Sequence, residues 1–395
     1  MIFYPILSQT QTSSSMIKIP FVDFTPMHAP LEADFEVAIQ RVLQQGDFIL
    51  GADVRKLEAA FAEASGATYG IGVACGTDAI ALGLQACGIG AGDEVIVPAN
   101  TFIATVIGVL RAGATPVLVD CDRQTALIDL EAAEAAITPR TKAIVPVHLY
   151  GQLVPPLPLL ELAERHKIII FEDAAQAHLA QRDGYVAGSI GKAAAYSFYP
   201  AKNLGAFGNG GMVVTRDATV ADTVRTLRNY GAPKKYLHTE RGTNSRLDTL
   251  QAAILNVKLP HLPMWNHDRN TCAAHYDRLL APLAECGITP LRNDSGTGHV
   301  YHLYIVHLSD RSPMTREALG HALNERRIDT GIHYPIACHR QPGYLNLGYS
   351  EGAFPNAEAL CHEIISLPMF PGLGLDRVEM VCRAIHEIVD AAIGV

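Results

Sequence analysis

The segment SFYPAKNLGAFGNGG at residues 197–211 places Lys202 between an aromatic run and four glycines. A P-loop, which binds phosphate, has its glycines before the lysine and a hydroxyl residue directly after it. Here the order is reversed and Asn203 follows the lysine, so the segment is not a P-loop. A lysine whose pKa is lowered by an apolar setting can instead form a Schiff base, and nearby aromatic and leucine residues could supply that setting. The alternative is an ordinary surface lysine on a loop.

Two other segments carry polar groups that suit related chemistry. GVACGTDAIALGL (72–84) places Gly76, Thr77 and Asp78 just before a predicted helix, where backbone amides can bind an anion such as phosphate. A simple N-cap by Thr77 or Asp78 is the alternative. IIIFEDAAQAH (168–178) ends an apolar strand with Asp173. A carboxylate there is costly unless a cation, such as a protonated ring nitrogen, meets it, and a helix-capping Asp is the alternative.

These three features together match the groups that bind pyridoxal phosphate (PLP). The amides near Gly76 would hold its phosphate, Asp173 would face its ring nitrogen, and Lys202 would react with its aldehyde. The sequence therefore predicts a PLP site.

The elements that must position these groups alternate between strands and helices over the first two thirds of the chain. The predicted strands are 94–98, 115–120, 143–151 and 168–173, separated by helical segments. This alternation predicts βαβ units around a mostly parallel sheet, with ligands at the carboxyl ends of its strands. Strands at 193–199 and 210–215 are separated only by the glycine loop, so we expect that pair to be antiparallel.

The length of 395 residues allows two domains. We expect a leader at residues 1–18, a large α/β domain at 19–258 and a smaller C-terminal α+β domain at 259–395. A strand at 299–308 and helices at 316–327 and 376–393 are predicted within the smaller domain.

Composition limits the functional classes. The net charge is −9 and no run is rich in Lys and Arg, which argues against nucleic acid or an anionic membrane surface as the partner. No uncharged apolar run approaches the ~18 residues of a membrane span, and the N-terminus lacks the basic region of a signal peptide. The eight cysteines are scattered without a CxxC pair, which argues against a zinc site or a disulfide framework. We therefore expect a cytoplasmic protein without a metal.

The chain resembles the DegT/DnrJ/EryC1/StrS PLP-dependent aminotransferases, which make amino sugars on nucleotide carriers. The resemblance runs from about Ile19 to the C-terminus and includes the three segments quoted above. It also includes GDFILGADVRKLEAAFA (46–62), EVIVPANTFIAT (94–105), LRNYGAPKKY (227–236), GTNSRLDTLQAA (242–253), TGIHYPIACHRQPGY (330–344) and ISLPMFPGL (365–373).

The resemblance implies the aspartate-aminotransferase fold: a seven-stranded, mostly parallel large domain and a small C-terminal domain. It implies Lys202 as the Schiff-base and proton-transfer lysine, and Asp173 as the partner of the pyridine nitrogen. The other implied cofactor contacts are Gln176 near the ring hydroxyl, Phe102 stacked on the ring, Ser197 with the backbone of Gly76, Thr77 and Asp78 at the phosphate, and Asn244 reaching the phosphate of the other subunit in a homodimer.

The resemblance also implies a substrate. The segment from NYG to NSRLD is most similar to enzymes acting on 3-keto sugars, such as dTDP-3-keto-6-deoxyhexose aminotransferases, with L-glutamate as the amino donor. His333 and Tyr334 would line the sugar-nucleotide site. Aminotransferases of UDP-linked 3-keto uronic acids share much of the lysine motif, so UDP, and amination at C4, stay open.

Two other functions are weighed against this one. A non-catalytic regulatory homologue is expected to lose Lys202 or Asp173, and both are present. A related branch dehydrates sugars and has a histidine in place of the lysine, so Lys202 argues against it.

Overall fold

The computed structural model describes residues 17–394. Its strands are β1 (Tyr69–Val73), β2 (Glu94–Pro98), β3 (Thr115–Val119), β4 (Thr141–Ile144), β5 (Ile169–Asp173), β6 (Gln181–Arg182), β7 (Tyr185–Val186), β8 (Ala193–Ser197), β9 (Gly211–Thr215), β10 (Ile288–Pro290), β11 (Tyr304–Leu308) and β12 (Ile364–Leu367).

Helices precede β1, follow β12 and occupy many of the segments between the strands. They are α1 (Thr25–His28), α2 (Glu32–Gln45), α3 (Ala52–Ala64), α4 (Gly76–Ala86), α5 (Ala104–Ala112), α6 (Leu130–Ala135), α7 (Pro156–His166), α8 (Ala218–Leu227), α9 (Thr249–Lys258), α10 (Leu262–Leu280), α11 (Arg316–Glu325), α12 (Pro355–Glu363) and α13 (Leu375–Ile393).

The large sheet has seven strands in the order β1-β9-β8-β5-β4-β2-β3. Five of them pair in parallel from β3 through to β8, whereas β9 runs antiparallel to both β8 and β1. The prediction of a mostly parallel seven-stranded sheet is confirmed, and so is the antiparallel pair joined by the glycine loop. A loop of that length has no room for a crossover helix, so the chain must reverse.

The C-terminal region contains a small antiparallel sheet in the order β10-β11-β12, together with α10, α11 and α13. Its buried side chains form a second core, which Ile19 also joins from the N-terminal end of the described chain. Because α9 passes directly into a 3₁₀ turn at Leu259–His261 and then α10, no linker marks position 258. The domain limits remain a prediction.

Two predicted strands are shorter than expected. The segment 143–151 leaves the strand conformation after Ile144 and forms a 3₁₀ turn at Leu149–Gly151. The segment 299–308 becomes a strand only at Tyr304. Its first residues are held by side chains instead, because Asn270, Asn203 and Arg269 donate to the carbonyls of residues 299, 300 and 301.

Residues 1–16, most of the predicted leader, lie outside the described residues. Lys18 forms a 3.1 Å ion pair with Asp329, and Ile19 is fully buried. Within residues 17–394 no helix is long and apolar enough to cross a membrane. All eight cysteines fall within that range and are free thiols. A cytoplasmic location remains a prediction.

Candidate active site

The predicted cofactor residues lie at the carboxyl edge of the large sheet. Asp173 is the last residue of β5 and Ser197 the last residue of β8. Gly76 is the first residue of α4 and lies three residues after Val73, the last residue of β1. Phe102 lies in the loop between β2 and α5. Because these strands end on the same side, the sheet brings together residues that are far apart in sequence.

Asp173 is buried and held by two hydrogen bonds. Its Oδ2 accepts from the Thr105 hydroxyl at 2.8 Å, and its Oδ1 accepts from the amide of Ala175 at 3.2 Å. Burial raises the pKa of this carboxyl group, while these hydrogen bonds and the charge of Lys202 oppose the rise. The next helix along the chain is α8, so the helix-capping alternative is wrong. The charged form of such a buried carboxylate is stabilised by a cationic or N–H partner.

The preceding residue, Glu172, has a different task. Its carboxylate accepts from the amides of Gly188, Ile190 and Gly191 and from Nε2 of His148, at 2.8–3.0 Å. Because Nδ1 of His148 accepts from the amide of Val154, Nε2 carries the ring proton. Glu172 therefore holds the loop before β8, and Asp173 alone of the two carboxylates faces the site.

Lys202 lies in the turn after β8 and is partly buried. The turn is closed by hydrogen bonds from its own amide to the Tyr199 carbonyl and from the Ala206 amide to the Phe198 carbonyl, each 2.8 Å. Burial lowers the pKa of Lys202 from 10.5 to about 8, with the charge of Asp173 opposing the change. The surface-lysine alternative is wrong. Of the expected apolar neighbours, Phe198 and Leu204 are buried, whereas Tyr199 and Phe207 are exposed.

The N-terminus of α4 meets the end of β8 at close range. A Cβ on Gly76 would lie 2.7 Å from Cβ of Ser197, and a Cβ on Gly211 would lie 2.4 Å from the Cys75 carbonyl. Glycine is required at both positions for this approach. The N-cap is Cys75, whose thiol accepts from the Asp78 amide at 3.5 Å, so the alternative of an N-cap by Thr77 or Asp78 is wrong. The helix terminus and Ser197 together form a cradle suited to phosphate.

The side chain of Asp78 ties this cradle to the NSRLD segment. Its carboxylate accepts from Arg111 and from the Ser245 hydroxyl, both at 2.6 Å. Ser245 in turn accepts from the amide of Ala74 at 3.1 Å. Asn244, the neighbouring residue, is exposed. Its predicted reach to a second subunit remains a prediction.

One wall of the site is formed by Phe102, Tyr334 and Gln176. The Phe102 ring is 52% exposed and lies 5.4 Å from the Tyr334 ring, centroid to centroid. Gln176 accepts from the Tyr150 amide at 2.7 Å and donates to the Tyr334 hydroxyl at 3.0 Å, which leaves a second amide hydrogen for a ligand. His333 contacts Ser366 through Nδ1 at 2.8 Å, and burial lowers its pKa to about 4.

These residues fit PLP. A large exposed aromatic ring, a glycine-lined cradle, a buried carboxylate and a partly buried lysine border one site, and each matches a different part of the cofactor.

Three polar residues that support the site were not predicted: Thr105, Ser245 and Asn203. Asn203 donates to Asn266 Oδ1 and the Val300 carbonyl, at 3.0 and 2.9 Å, and its own oxygen lies 3.1 Å from Nδ1 of His302. Each of the three lies within a segment quoted above, at 94–105, 242–253 and 197–211, yet no sequence pattern identifies its partner.

Comparison with known proteins identifies the family. The model of the DegT/DnrJ/EryC1/StrS aminotransferase family matches residues 30–386. The chain is 45% identical to a "Pleiotropic regulatory protein" of Geobacillus stearothermophilus, over 94% of this chain and 98% of that protein. It is 43% identical to the dTDP-3-amino-3,4,6-trideoxy-alpha-D-glucose transaminase of Streptomyces venezuelae, over 94% and 96% of the two chains.

A UDP-sugar enzyme and a solved structure are also similar. The UDP-N-acetyl-3-dehydro-alpha-D-glucosamine 3-aminotransferase of Acidithiobacillus ferrooxidans is 42% identical over 93% of this chain and 97% of that protein. The crystal structure of S. venezuelae DesV in complex with a ketimine intermediate superposes with a TM-score of 0.89, at 43% identity over 94% of this chain and 99% of that one.

The fold and the site thus define a PLP-dependent transaminase. The chain belongs to the DegT/DnrJ/EryC1/StrS aminotransferase family, and it is a sugar aminotransferase.

Proposed function

We propose that this enzyme converts a dTDP-linked 3-keto-6-deoxyhexose into the corresponding amino sugar, with L-glutamate as the amino donor. The observation that carries the chemistry is the meeting of Lys202, Asp173 and the Gly76–Ser197 cradle at one edge of the sheet. The S. venezuelae transaminase named above supports the dTDP-linked sugar and the 3-position.

Lys202 is the proposed anchor and proton carrier. When bound, PLP supplies an aldehyde that takes up the donor's amino group and a protonated ring that withdraws electrons from the donor's Cα. With its pKa lowered to about 8, Lys202 is partly unprotonated near neutral pH. Its Nζ can therefore hold the aldehyde end of the cofactor and, once displaced, remove a proton from the donor's Cα.

Asp173 is proposed to keep the proton on the ring nitrogen. The hydrogen bonds from Thr105 and Ala175 hold the carboxylate in place and favour its charged form. Gln176 has an amide hydrogen for the ring hydroxyl, and Phe102 offers its exposed face to the ring. Ser197 and the amides of Gly76, Thr77 and Asp78 are proposed to bind the phosphate.

His333 and Tyr334 are proposed to line the sugar-nucleotide site beside this wall. Because burial lowers the pKa of His333 to about 4, its ring is neutral near pH 7 and can form hydrogen bonds without adding charge. Asn244 is proposed to contact the phosphate in a partner subunit, which makes a homodimer with shared sites the working assembly.

The test is incubation with ¹⁵N-labelled L-glutamate and matched dTDP- and UDP-linked 3-keto and 4-keto sugars, with products identified by mass spectrometry. We expect ¹⁵N in the dTDP-linked 3-amino sugar. Labelling of a UDP-linked sugar instead would replace the proposed nucleotide, and labelling at C4 would replace the proposed carbon. Lys202→Ala is the negative control.

A second candidate is a regulatory function, because one relative with 45% identity is named as a regulatory protein. The same panel separates the two functions. Absence of labelled product from every sugar, in a protein that binds PLP, would favour the regulatory function.

A further inference from the structure

Lys258 is a buried lysine that the proposed chemistry does not use. It is the last residue of α9 and only 2% exposed. Burial lowers its pKa to about 8. Within residues 17–394 no carboxylate forms an ion pair with it. Burying a cation without an anionic partner is costly, so other groups around Lys258 must stabilise its charge.

Its ammonium group meets three partners. It donates to the carbonyl of Gly205 at 2.5 Å and lies 3.0 Å from Nε2 of His28. Because burial lowers the pKa of His28 to about 4, that ring is neutral and Nε2 can accept a hydrogen bond. The ammonium also lies 5.5 Å from the centroid of the Phe207 ring, within the range of a cation–π contact.

Gly205 belongs to the turn that carries Lys202. A Cβ on Gly205 would lie 2.1 Å from the Pro200 carbonyl, so this turn folds tightly back on itself. Hydrogen bonds to the carbonyls of Phe198 and Tyr199 close it next to β8. The hydrogen bond from Lys258 holds the carbonyl of Gly205, three residues after Lys202. Lys202 therefore lies, along the chain, between Tyr199 and Gly205, whose carbonyls both accept hydrogen bonds.

We propose that Lys258 is a positioning residue, which holds the turn at Gly205 so that the Lys202 amine faces the cofactor. The proposal rests on the proposed role of Lys202. Lys258 touches neither cofactor nor substrate, and it acts through the carbonyl of Gly205. The His28 and Phe207 side chains replace the water that its ammonium group would otherwise need.

The test compares Lys258→Met, which cannot donate a hydrogen bond, with Lys258→Gln, which can. Two quantities are measured on the full chain. The first is the Kd for PLP. The second is the pH at which the rate of Lys202 acetylation in the cofactor-free enzyme is half its maximum, called the Lys202 midpoint. For Lys258→Met we expect a Kd raised about tenfold, because the turn loses a hydrogen bond from a charged group and no longer holds Lys202 towards the cofactor. We also expect the Lys202 midpoint to move upward, because a looser turn admits water to the amine.

Lys258→Gln should recover most of both effects. Arg316→Met is the matched control: it removes another buried cation that donates to a backbone carbonyl, in the C-terminal region. The proposal is overturned if Lys258→Met matches the wild type in both quantities, if Lys258→Gln is no better than Lys258→Met, or if Arg316→Met causes the same shifts. Failure of the wild type to bind PLP at Lys202 would instead contradict the proposed function.

Discussion

The Thr105 hydroxyl donates a 2.8 Å hydrogen bond to Asp173 and lies 2.9 Å from the Thr101 hydroxyl. Since a carboxylate can only accept, the Thr105 proton points to Asp173, and Thr101 donates to Thr105. A short chain of hydroxyl groups therefore ends on the carboxylate proposed to face the ring nitrogen.

Replacing Thr105 with Val should slow the reaction with glutamate about tenfold, because a hydrogen bond to a charged group is lost. This bond lowers the pKa of Asp173, so its loss raises that pKa further. Activity should then fall at a higher pH on the acid side than in the wild type. The measurement is the single-turnover rate across pH. Thr105→Ser keeps the hydroxyl and should behave as the wild type, and superimposable Val and wild-type profiles would remove Thr105 from this role.

Phe102→Ala should weaken PLP binding about fivefold, in line with the energy of an aromatic stacking contact. Because the ring is 52% exposed, the free energy of unfolding of the cofactor-free protein should change by no more than about 0.5 kcal/mol. Fluorescence titration with PLP and urea unfolding measure the two quantities. Phe102→Tyr keeps a ring and is the control. A large loss of stability with unchanged PLP affinity would show that the ring serves packing.

Ser245→Ala should destabilise the protein by about 1–3 kcal/mol, because Asp78 loses a buried hydrogen bond and the Ala74 amide loses a partly buried one. The same change should weaken PLP binding, since both partners adjoin the cradle at Gly76. Urea unfolding and PLP titration test this, with Ser312→Ala as the control, a hydroxyl in an outer loop of the C-terminal region. Loss of stability without loss of PLP affinity would limit Ser245 to a structural role.

The sequence predicts the sheet well because local patterns determine it. Short apolar strands alternating with helices indicate parallel pairing, and the glycine loop between β8 and β9 leaves no room for a crossover. The strand predicted at 299–308 is longer than the observed β11 for the opposite reason, because distant side chains determine where it begins. Side chains of Asn203, Arg269 and Asn270, which lie far away in sequence, take the carbonyls that a neighbouring strand would use.

The supporting residues of the site could not be predicted, because their partners are distant in the chain. Thr105 is 68 residues from Asp173, and Ser245 is 167 residues from Asp78. Lys258 is 53 residues from Gly205 and is the last residue of the helix α9. Periodicity and spacing carry no information over such separations, whereas the family resemblance named only residues expected to touch the cofactor or the substrate.

Lys202 should react with acetic anhydride in the cofactor-free enzyme with a pH midpoint of about 8, because only the unprotonated amine is acetylated. Asp173 favours the charged amine, so Asp173→Asn should lower the midpoint further. Peptide mass spectrometry follows the modification, with Nα-acetyl-lysine, whose ε-amine is free, in the same tube as the reference. A midpoint equal to the reference would mean that burial does not tune this lysine.

The covalent role of Lys202 is tested most directly by reducing the PLP-loaded enzyme with borohydride and mapping the modified peptide. We expect one pyridoxyl group per chain, on Lys202, and none on this segment in Lys202→Arg. Modification of another lysine, or none in a protein that retains PLP, would contradict the account.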